Sequence, residues 1–134
     1  MPPNLIGKRV VIIEDEGLTL LGLQRICESY RMIVVGTAHN GREGVDMVLL
    51  QQPDIVLADI NMPEMDGLEA SRQILRQIHV CILLVTAYVD TTDLDEIAQI
   101  GVHGYLGKPV TKDILLPAIK EAYEHFLQAK AFGQ

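Results

Sequence analysis

Short runs of valine and isoleucine alternate along the chain with longer segments whose apolar residues recur every three or four positions. The runs that predict strands are Arg9–Ile13, Met32–Val35, Ile55–Ala58, Val80–Val85 and the weaker Gly104–Leu106. Strands that are apolar throughout belong to parallel sheets covered by helices on both faces. Because crossovers between parallel strands are nearly always right-handed, the pattern predicts an α/β fold with a (βα)5 doubly wound, five-stranded parallel sheet.

Each predicted strand leads into a segment with the apolar spacing of a helix. The spacing is carried by Leu20, Leu23, Cys27 and Tyr30 in the first, by Val45, Val48 and Leu49 in the second, by Leu68, Ser71, Leu75 and Ile78 in the third, and by Leu94, Ile97, Ala98 and Ile100 in the fourth. The fifth segment runs from Lys112 to about Ala129. Asn40 and Asp90, which precede the second and fourth segments, are typical N-cap residues.

Composition and charge limit the classes of function that this chain can have. Its 134 residues, 49% of them hydrophobic, suffice for one compact domain without disulfides or a structural metal. A net charge of −7 and no cluster of Lys and Arg argue against direct nucleic-acid binding. The N-terminus has no secretory apolar region, and the longest apolar-rich run, at about 80–89, is too short to cross a bilayer. The sequence thus predicts a soluble, cytoplasmic protein without membrane contact.

The cysteines and histidines show no spacing typical of a metal site. Cys27 and Cys81 lie in apolar segments and are expected to be reduced thiols of the core. The four histidines, for which loop or surface positions are expected, are His39, His79, His103 and His125.

Polar residues follow four of the predicted strands. The acids Glu14, Asp15 and Glu16 follow the first strand, and Asp59 follows the third. Thr86 ends the fourth strand and Lys108 comes soon after the fifth. Ligands of doubly wound sheets bind beyond the carboxyl ends of the strands. These side chains are therefore expected to meet at one edge of the sheet.

Three neighbouring carboxylates, those of Glu14, Asp15 and Asp59, would raise each other's pKa unless a cation were present. Mg²⁺ suits such a site, since it prefers oxygen ligands and completes its shell with water and phosphate oxygens. Lys108 adds a positive charge and Thr86 a hydroxyl donor, both of which suit a phosphoryl group. Asp59, at the end of the central strand, is the candidate nucleophile that would form an aspartyl phosphate.

Each of these residues also has an ordinary structural explanation. The acids at 14–16 could simply favour the positive end of the first helix, and Thr86 and Lys108 could be a strand-end hydroxyl and a solvated charge.

Other functions of the whole domain fit the sequence less well. A nucleotide-binding domain should have a glycine-rich first turn, but EDEGLTL at 14–20 has one glycine and three acids. A haloacid-dehalogenase-like phosphatase would carry its DxD pattern after the first strand. A metal-free interaction module would not need both Thr86 and Lys108.

The chain resembles the response-regulator receiver domains of two-component signalling, the CheY-like superfamily, over about residues 7–124. The resemblance is carried by VVIIEDE at 10–16, PDIVLADINMPEMDGLEA at 53–70, ILLVTA at 82–87 and GYLGKPV at 104–110. It implies a flavodoxin-like fold with strand order 2-1-3-4-5. It also implies a regulatory domain that catalyses only its own phosphorylation and dephosphorylation, and is not otherwise an enzyme.

Carried over residue by residue, the resemblance implies that a histidine kinase or histidine phosphotransfer protein phosphorylates Asp59. Asp15 and Asp59 would bind Mg²⁺ directly, with the backbone carbonyl of Asn61 as a further ligand and Glu14 acting through water. Glu14 stands where an aspartate is more usual, which lengthens the reach to the metal but keeps the charge. Lys108 would pair with the phosphoryl group, and its bond to Pro109 would be cis.

The resemblance also implies a conformational switch. Thr86 would turn toward the phosphoryl oxygen and Tyr105 would swing inward behind it. The fourth helix offers few residues to the core, so it is expected to be weakly anchored, and the surface of helix four, strand five and helix five should respond. A homodimer through this surface or through helix five is an open alternative. The bulk of Tyr88 is expected to hinder attacking water, which predicts slow dephosphorylation.

The segment GYLGKPVTKDILLPAIKEA at 104–122 is most similar to receivers of ANTAR-type (AmiR/NasT-like) antiterminators, which have an RNA-binding output. We therefore expect a single receiver domain over 1–134, with a core at about 7–124 and a helix extension at 125–134 that links to an output domain. A stand-alone receiver that acts through protein contacts or as a phosphate shuttle is the alternative. The last helix carries a stripe typical either of a coiled-coil seam or of a core-facing surface: Leu115, Ile119, Ala122, Phe126 and Ala129.

Overall fold

The computed structural model describes residues 4–87 and 90–131 and confirms the predicted α/β fold. Its strands are β1 (Arg9–Ile13), β2 (Ile33–Ala38), β3 (Ile55–Ala58), β4 (Cys81–Thr86) and β5 (Gly104–Gly107). Its helices are α1 (Gly17–Ser29), α2 (Gly41–Gln51), α3 (Gly67–Leu75), α4 (Thr91–Ile100) and α5 (Lys112–Ala131). The strands form one parallel sheet in the order β2-β1-β3-β4-β5, which is the flavodoxin-like order.

The register of the sheet brings the carboxyl ends of its central strands level. Ile13 pairs with Ala58, and Ala58 pairs with Leu84, so β1, β3 and β4 end at the same edge. Every residue of β3 and β4 is buried, which is why both strands read as unbroken apolar runs. Residues that follow these strands must therefore emerge side by side.

The sheet separates two apolar cores. One lies under α1 and α5 and is built around Ile12, Leu57 and Leu83. The other lies under α2, α3 and α4 and is built around the alternate strand positions, such as Ile13 and Leu84. Because successive strand residues face opposite sides, β1, β2, β3 and β4 supply both cores, while β5 adds Leu106 to the first.

Several predicted boundaries and apolar stripes differ from the structure. β2 runs on to Ala38 because Gly36, Thr37 and Ala38 continue the pairing with β1, and the missing side chain of Gly36 leaves room for that of Met47. β4 begins one residue later than predicted and includes Thr86. In α3 the buried position is Ile74 and not Leu75, and Ile78 follows the end of the helix.

α4 is held by less of the core than its apolar residues suggest. Only Ile97 is buried among its residues, while Leu94 is 39% exposed and Ala98 is exposed. A capping box between Asp90 and Asp93 defines its first turn instead. The expectation of a weakly anchored fourth helix agrees with this burial.

α5 is one continuous helix with Pro117 on its exposed side, five residues after its start at Lys112. The predicted stripe is buried in the core of the same chain at Leu115, Ile119, Ala122 and Phe126. The structure therefore favours the core-facing interpretation of this stripe over the coiled-coil seam. Among residues 4–87 and 90–131, no helix combines the length and the apolar character needed to cross a membrane.

A close backbone contact fixes the loop between β3 and α3. The amide of Gly67 donates a hydrogen bond of 2.8 Å to the carbonyl of Ile60, and Asp66 caps α3 by accepting one from the amide of Glu69. A Cβ atom on Gly67 would lie 2.0 Å from the carbonyl oxygen of Asp59. Only glycine lets this loop fold back on the end of β3, and that contact sets the position of Asp59.

We predict that Gly67→Ala lowers the free energy of unfolding by about 1–3 kcal/mol, because the added methyl group must displace backbone. The matched control is Gly22→Ala, in the exposed middle of α1, where a Cβ atom meets nothing within 4 Å. That change should raise the free energy of unfolding by up to about 1 kcal/mol through helix propensity. Urea denaturation followed by circular dichroism measures both, and equal effects of the two changes would contradict the role assigned to Gly67.

Candidate functional site

Two buried acids sit one residue past the ends of neighbouring strands. The amide of Glu14 donates to the carbonyl of Ala38 at 2.9 Å, and the amide of Asp59 donates to that of Ile13 at 3.0 Å. These bonds extend the parallel ladder by one step and hold both backbones in place. Glu14 is 1% exposed and Asp59 is 6% exposed. Two carboxylates are thus held next to each other with little contact with water.

Lys108 supplies the cation that such a pair requires. Its amide donates to the carbonyl of Thr86 at 2.9 Å, which fixes the loop after β5 against the end of β4. Its ammonium group donates to Glu14 Oε1 at 2.5 Å and to Asp59 Oδ2 at 3.1 Å. The Lys108–Pro109 peptide bond is cis, as the resemblance implied. One side chain therefore connects the ends of three strands.

The protonation tendencies of this cluster follow from burial and charge. Burial raises the pKa of the Glu14 carboxyl and the charge of Asp59 adds to the rise, while hydrogen bonds from Lys108 and from the amide of Glu16 oppose it. Burial disfavours the charged form of Lys108, but its bonds to Glu14 and Asp59 outweigh burial and raise its pKa. A single lysine does not fully offset the acids, so the site favours a further cation.

Asp15 completes an acidic cluster that is open to solvent on one side. Its side chain is exposed, and Glu14, Asp15 and Asp59 each present a carboxylate oxygen within 4.8 Å of the others. Hard divalent cations such as Mg²⁺ prefer oxygen ligands of this kind and keep several waters. The residues that are present therefore fit a bound Mg²⁺ ion.

Asn61 and Thr86 extend the cluster beyond the acids. The amide of Asn61 donates to Asp59 Oδ1 at 3.2 Å, and its side-chain Nδ2 donates to Thr86 Oγ1 at 3.3 Å. The resemblance implied that the carbonyl of Asn61 is a metal ligand and that its position tunes phosphoryl lifetime, but the bond between the side chains of Asn61 and Thr86 was not predicted. The only signal was a polar residue two positions after the strand-end acid, which does not indicate the side chain that it contacts. Among the described residues, no buried side-chain nitrogen or oxygen lacks a hydrogen-bond partner.

The predicted switch residue Tyr105 lies outside this cluster. Its side chain is 50% exposed, and it borders a cavity of about 240 Å³ together with His103, Ala118 and His125. Tyr88 falls outside the described residues, so its effect on dephosphorylation stays a prediction. The structure brings together the six other predicted site residues, which are Glu14, Asp15, Asp59, Asn61, Thr86 and Lys108.

Comparison with known families agrees with this arrangement. The family described as response regulator receiver domain matches residues 10–120, which is most of the chain. The chain belongs to the receiver domain family. It is accordingly a regulatory signalling domain of a two-component response regulator.

Individual relatives support the same assignment. The chain is 32% identical over 126 residues to the transcriptional regulatory protein PdtaR of Mycobacterium tuberculosis, covering 94% of this chain and 62% of PdtaR. It is 35% identical over 117 residues to the transcriptional regulatory protein GlrR of Escherichia coli, covering 86% of this chain and 26% of GlrR. Since the chain spans only part of each relative, their complete activities do not carry over to it.

Solved structures show the same fold. The receiver domain of NarL from Mycobacterium tuberculosis superimposes with a TM-score of 0.82 at 26% identity, covering 89% of this chain and 98% of that chain. The receiver domain of a modulated diguanylate cyclase from Desulfovibrio desulfuricans gives a TM-score of 0.83 at 29% identity, covering 91% and 98%. Receiver domains from different proteins thus share this fold.

We predict that Lys108→Met lowers the free energy of unfolding by about 3 kcal/mol, because it leaves the buried carboxylate of Glu14 without its cation. The double variant Glu14→Gln, Lys108→Met should regain most of that loss, since both charges are then removed together. The exposed Lys112→Met is the matched control and should change stability by less than about 0.5 kcal/mol. Additive losses in the double variant, measured by urea denaturation, would contradict the pairing.

Proposed function

We propose that this receiver domain is a phosphoacceptor switch that takes a phosphoryl group onto Asp59 with Mg²⁺ bound beside it. The observation that carries the proposal is the setting of the Asp59 carboxylate. It lies at the end of the central strand, 6% exposed, with Lys108 on one oxygen and the amide of Asn61 on the other. A carboxylate held in this way is positioned and charged to act as a nucleophile.

In the transfer, an oxygen of Asp59 forms a bond to phosphorus while the bond from phosphorus to the donor breaks, and the donor group leaves with that electron pair. Asp59 is favoured as the acceptor by its place at the end of the central strand. Glu14 is only 1% exposed, against 6% for Asp59, and Asp15 is exposed, where water competes for its charge. Of these three acids, only Asp59 is thus both buried and accessible to a phosphodonor.

Each neighbour of Asp59 has a distinct role in this proposal. Lys108, already 3.1 Å from Asp59, provides a positive charge for the added phosphoryl oxygens. Thr86, whose hydroxyl lies next to the side chain of Asn61, provides a donor to one of them. When Mg²⁺ is bound, Asp15 and Asp59 would hold it directly, the carbonyl of Asn61 would add a ligand, and Glu14 would act through water. Bound there, Mg²⁺ neutralises charge on the phosphoryl oxygens.

The same proposal explains how a change at Asp59 reaches the surface. Thr86 ends β4 and turns toward the phosphoryl group, which makes room for the half-exposed Tyr105 on the neighbouring strand to move inward. α4 can follow because it buries only Ile97 and is tied to α3 through a partly exposed ion pair between Arg72 and Glu96. A few kcal/mol at Asp59 is enough to shift the population of two arrangements of this surface.

A histidine kinase or histidine phosphotransfer protein is the proposed phosphodonor.

For the output, we propose RNA-binding transcription antitermination by a segment that follows α5 in the complete protein. This is supported by the likeness of 104–122 to ANTAR-type receivers and by the match to the longer transcriptional regulator PdtaR. The length of the natural gene product tests it: a further helical segment of some tens of residues favours antitermination, and a product that ends with the receiver contradicts it.

We predict that incubation with acetyl phosphate and Mg²⁺ adds a single acid-stable, base-labile phosphoryl group, detected by intact-protein mass spectrometry. The label should be absent in Asp59→Asn and should disappear when Mg²⁺ is removed with a chelator. The matched control is Asp66→Asn on the same loop, because Asn can still cap α3 and only one exposed charge is lost.

Labelling of Asp59→Asn to the level of the unchanged protein would refute Asp59 as the acceptor. Labelling that persists in the chelator would refute the role of the metal. Asp15→Asn separates the two parts of the proposal, since it should slow labelling and raise the Mg²⁺ concentration required while leaving Asp59 as the only labelled residue.

A further inference from the structure

A second cavity, of about 680 Å³, lies at the opposite end of the sheet from Asp59. It is bordered by the connection from α3 to β4, by the connection from α4 to β5 and by the last turns of α5. These connections precede the first residues of β4 and β5, whereas Asp59 follows the last residue of β3. A ligand here would not compete with a phosphoryl group. The residues around it are 75–79, 100–103, His125 and Ala129.

The charge of this cavity is opposite to that of the chain. Arg76 and three of the four histidines of the sequence border it, namely His79, His103 and His125. None of the described residues that border it is acidic, although the chain as a whole has a net charge of −7. Groups that can donate hydrogen bonds or carry positive charge are therefore concentrated at one place, and Glu69, the acid on α3 whose pKa is lowered by side-chain hydrogen bonds and, less so, by the charge of Arg76, lies outside the lining.

The histidine side of the cavity is fixed in position. His103 Nδ1 accepts a hydrogen bond of 3.1 Å from the amide of Ile82, so the neutral ring carries its proton on Nε2. The rings of His79 and His103 meet the buried ring of Phe126 edge-on, with centroids 4.7 Å and 5.3 Å apart. Burial and the two neighbouring histidines lower the pKa of His103 to about 4, so it stays a neutral donor near pH 7.

The remaining border of the cavity is apolar. Partly buried side chains from the ends of α3 and α4 contribute to it and pack on the core beneath: Leu75, Ile78, Ile100 and Val102. The volume falls within the range of about 300–1,000 Å³ that is typical of small-molecule sites, which combine apolar surface with a few polar groups. An occupant that matches the cavity therefore needs an apolar body as well as an acidic group.

The partial negative charge of the two helix ends disfavours a bound anion, but it does not outweigh the basic groups of the cavity. The carboxyl ends of α3 and α4 border the cavity, and helix ends carry roughly half a negative charge that falls off within one turn. On α3 these carbonyls already accept bonds, since the amides of Arg76, Gln77 and Ile78 all donate to its last turn. The full charge of Arg76 and the histidine donors are not offset in this way.

We propose that this cavity binds a small organic anion, a carboxylate or phosphate monoester attached to an apolar or aromatic body. The acidic group pairs with Arg76 and the histidine donors, and the body covers the apolar side chains. This site is separate from the phosphoacceptor site and does not depend on the function proposed for Asp59.

The test is a titration with 1-naphthylacetate, followed by the backbone amide signals of the isotope-labelled protein in NMR. We expect saturable shifts at Gln77, His79 and Val102. The neutral analogue 1-naphthylacetamide should bind about tenfold more weakly because it cannot pair with Arg76. Inorganic phosphate, which has no apolar body, should also bind about tenfold more weakly. Equal affinity for acid and amide, or shifts elsewhere only, would overturn the proposal.

Variants separate this site from long-range charge effects and from the phosphoacceptor. Arg76→Gln should weaken 1-naphthylacetate about tenfold, while the matched Arg42→Gln, an exposed arginine on α2, should not. Asp59→Asn should leave this binding unchanged, and Arg76→Gln should leave labelling by acetyl phosphate unchanged. Equal weakening by the two arginine variants would refute a specific site at the cavity.

Discussion

The shared lysine is the interaction on which the site depends. Glu14 and Asp59 are nearly fully buried and adjacent, and two such carboxylates are stable together only when a cation offsets their charge. Lys108 meets this need from the loop after β5, so the acids on β1 and β3 and the cation after β5 stabilise one another. The negative charge of the carboxylates still exceeds the positive charge of the single lysine. A divalent cation would offset this excess, and a phosphoryl group suits the site together with that cation.

Most of this site could be predicted because it follows from local patterns and one topological rule. Apolar runs locate the strands, and the parallel sheet brings their carboxyl ends to a single edge, so the types of residue after each strand indicate the chemistry. The position of Asp59 after a fully buried strand was the strongest of these signals. Contacts that depend on side-chain reach, such as Asn61 to Thr86, could not be read from the pattern.

The sequence predictions that the structure corrected failed for different physical reasons in different elements. β2 extends past Gly36 because its last residues pair with Ile12 and Ile13 of β1, a long-range pairing that the local propensity of glycine does not reveal. Ile74 is buried in place of Leu75 because it lies on the same face of α3 as the buried Ala70 and Ser71, four and three residues before it. The histidines at 79, 103 and 125 come from three separate segments, so their spacing along the chain gave no sign that they border one cavity.

In the proposed function, chemistry and response occupy different places on the shared sheet. The acids and Lys108 occupy its carboxyl edge, while α4, of which only Ile97 is buried, packs next to α3 and is followed in the chain by β5 with the half-exposed Tyr105. The most direct test of the account is an NMR comparison of the protein with and without beryllofluoride and Mg²⁺. Backbone signals around Thr86 and Tyr105 should shift in the unchanged protein and stay fixed in Asp59→Asn. Shifts that persist in Asp59→Asn, or none at Thr86 in the unchanged protein, would contradict it.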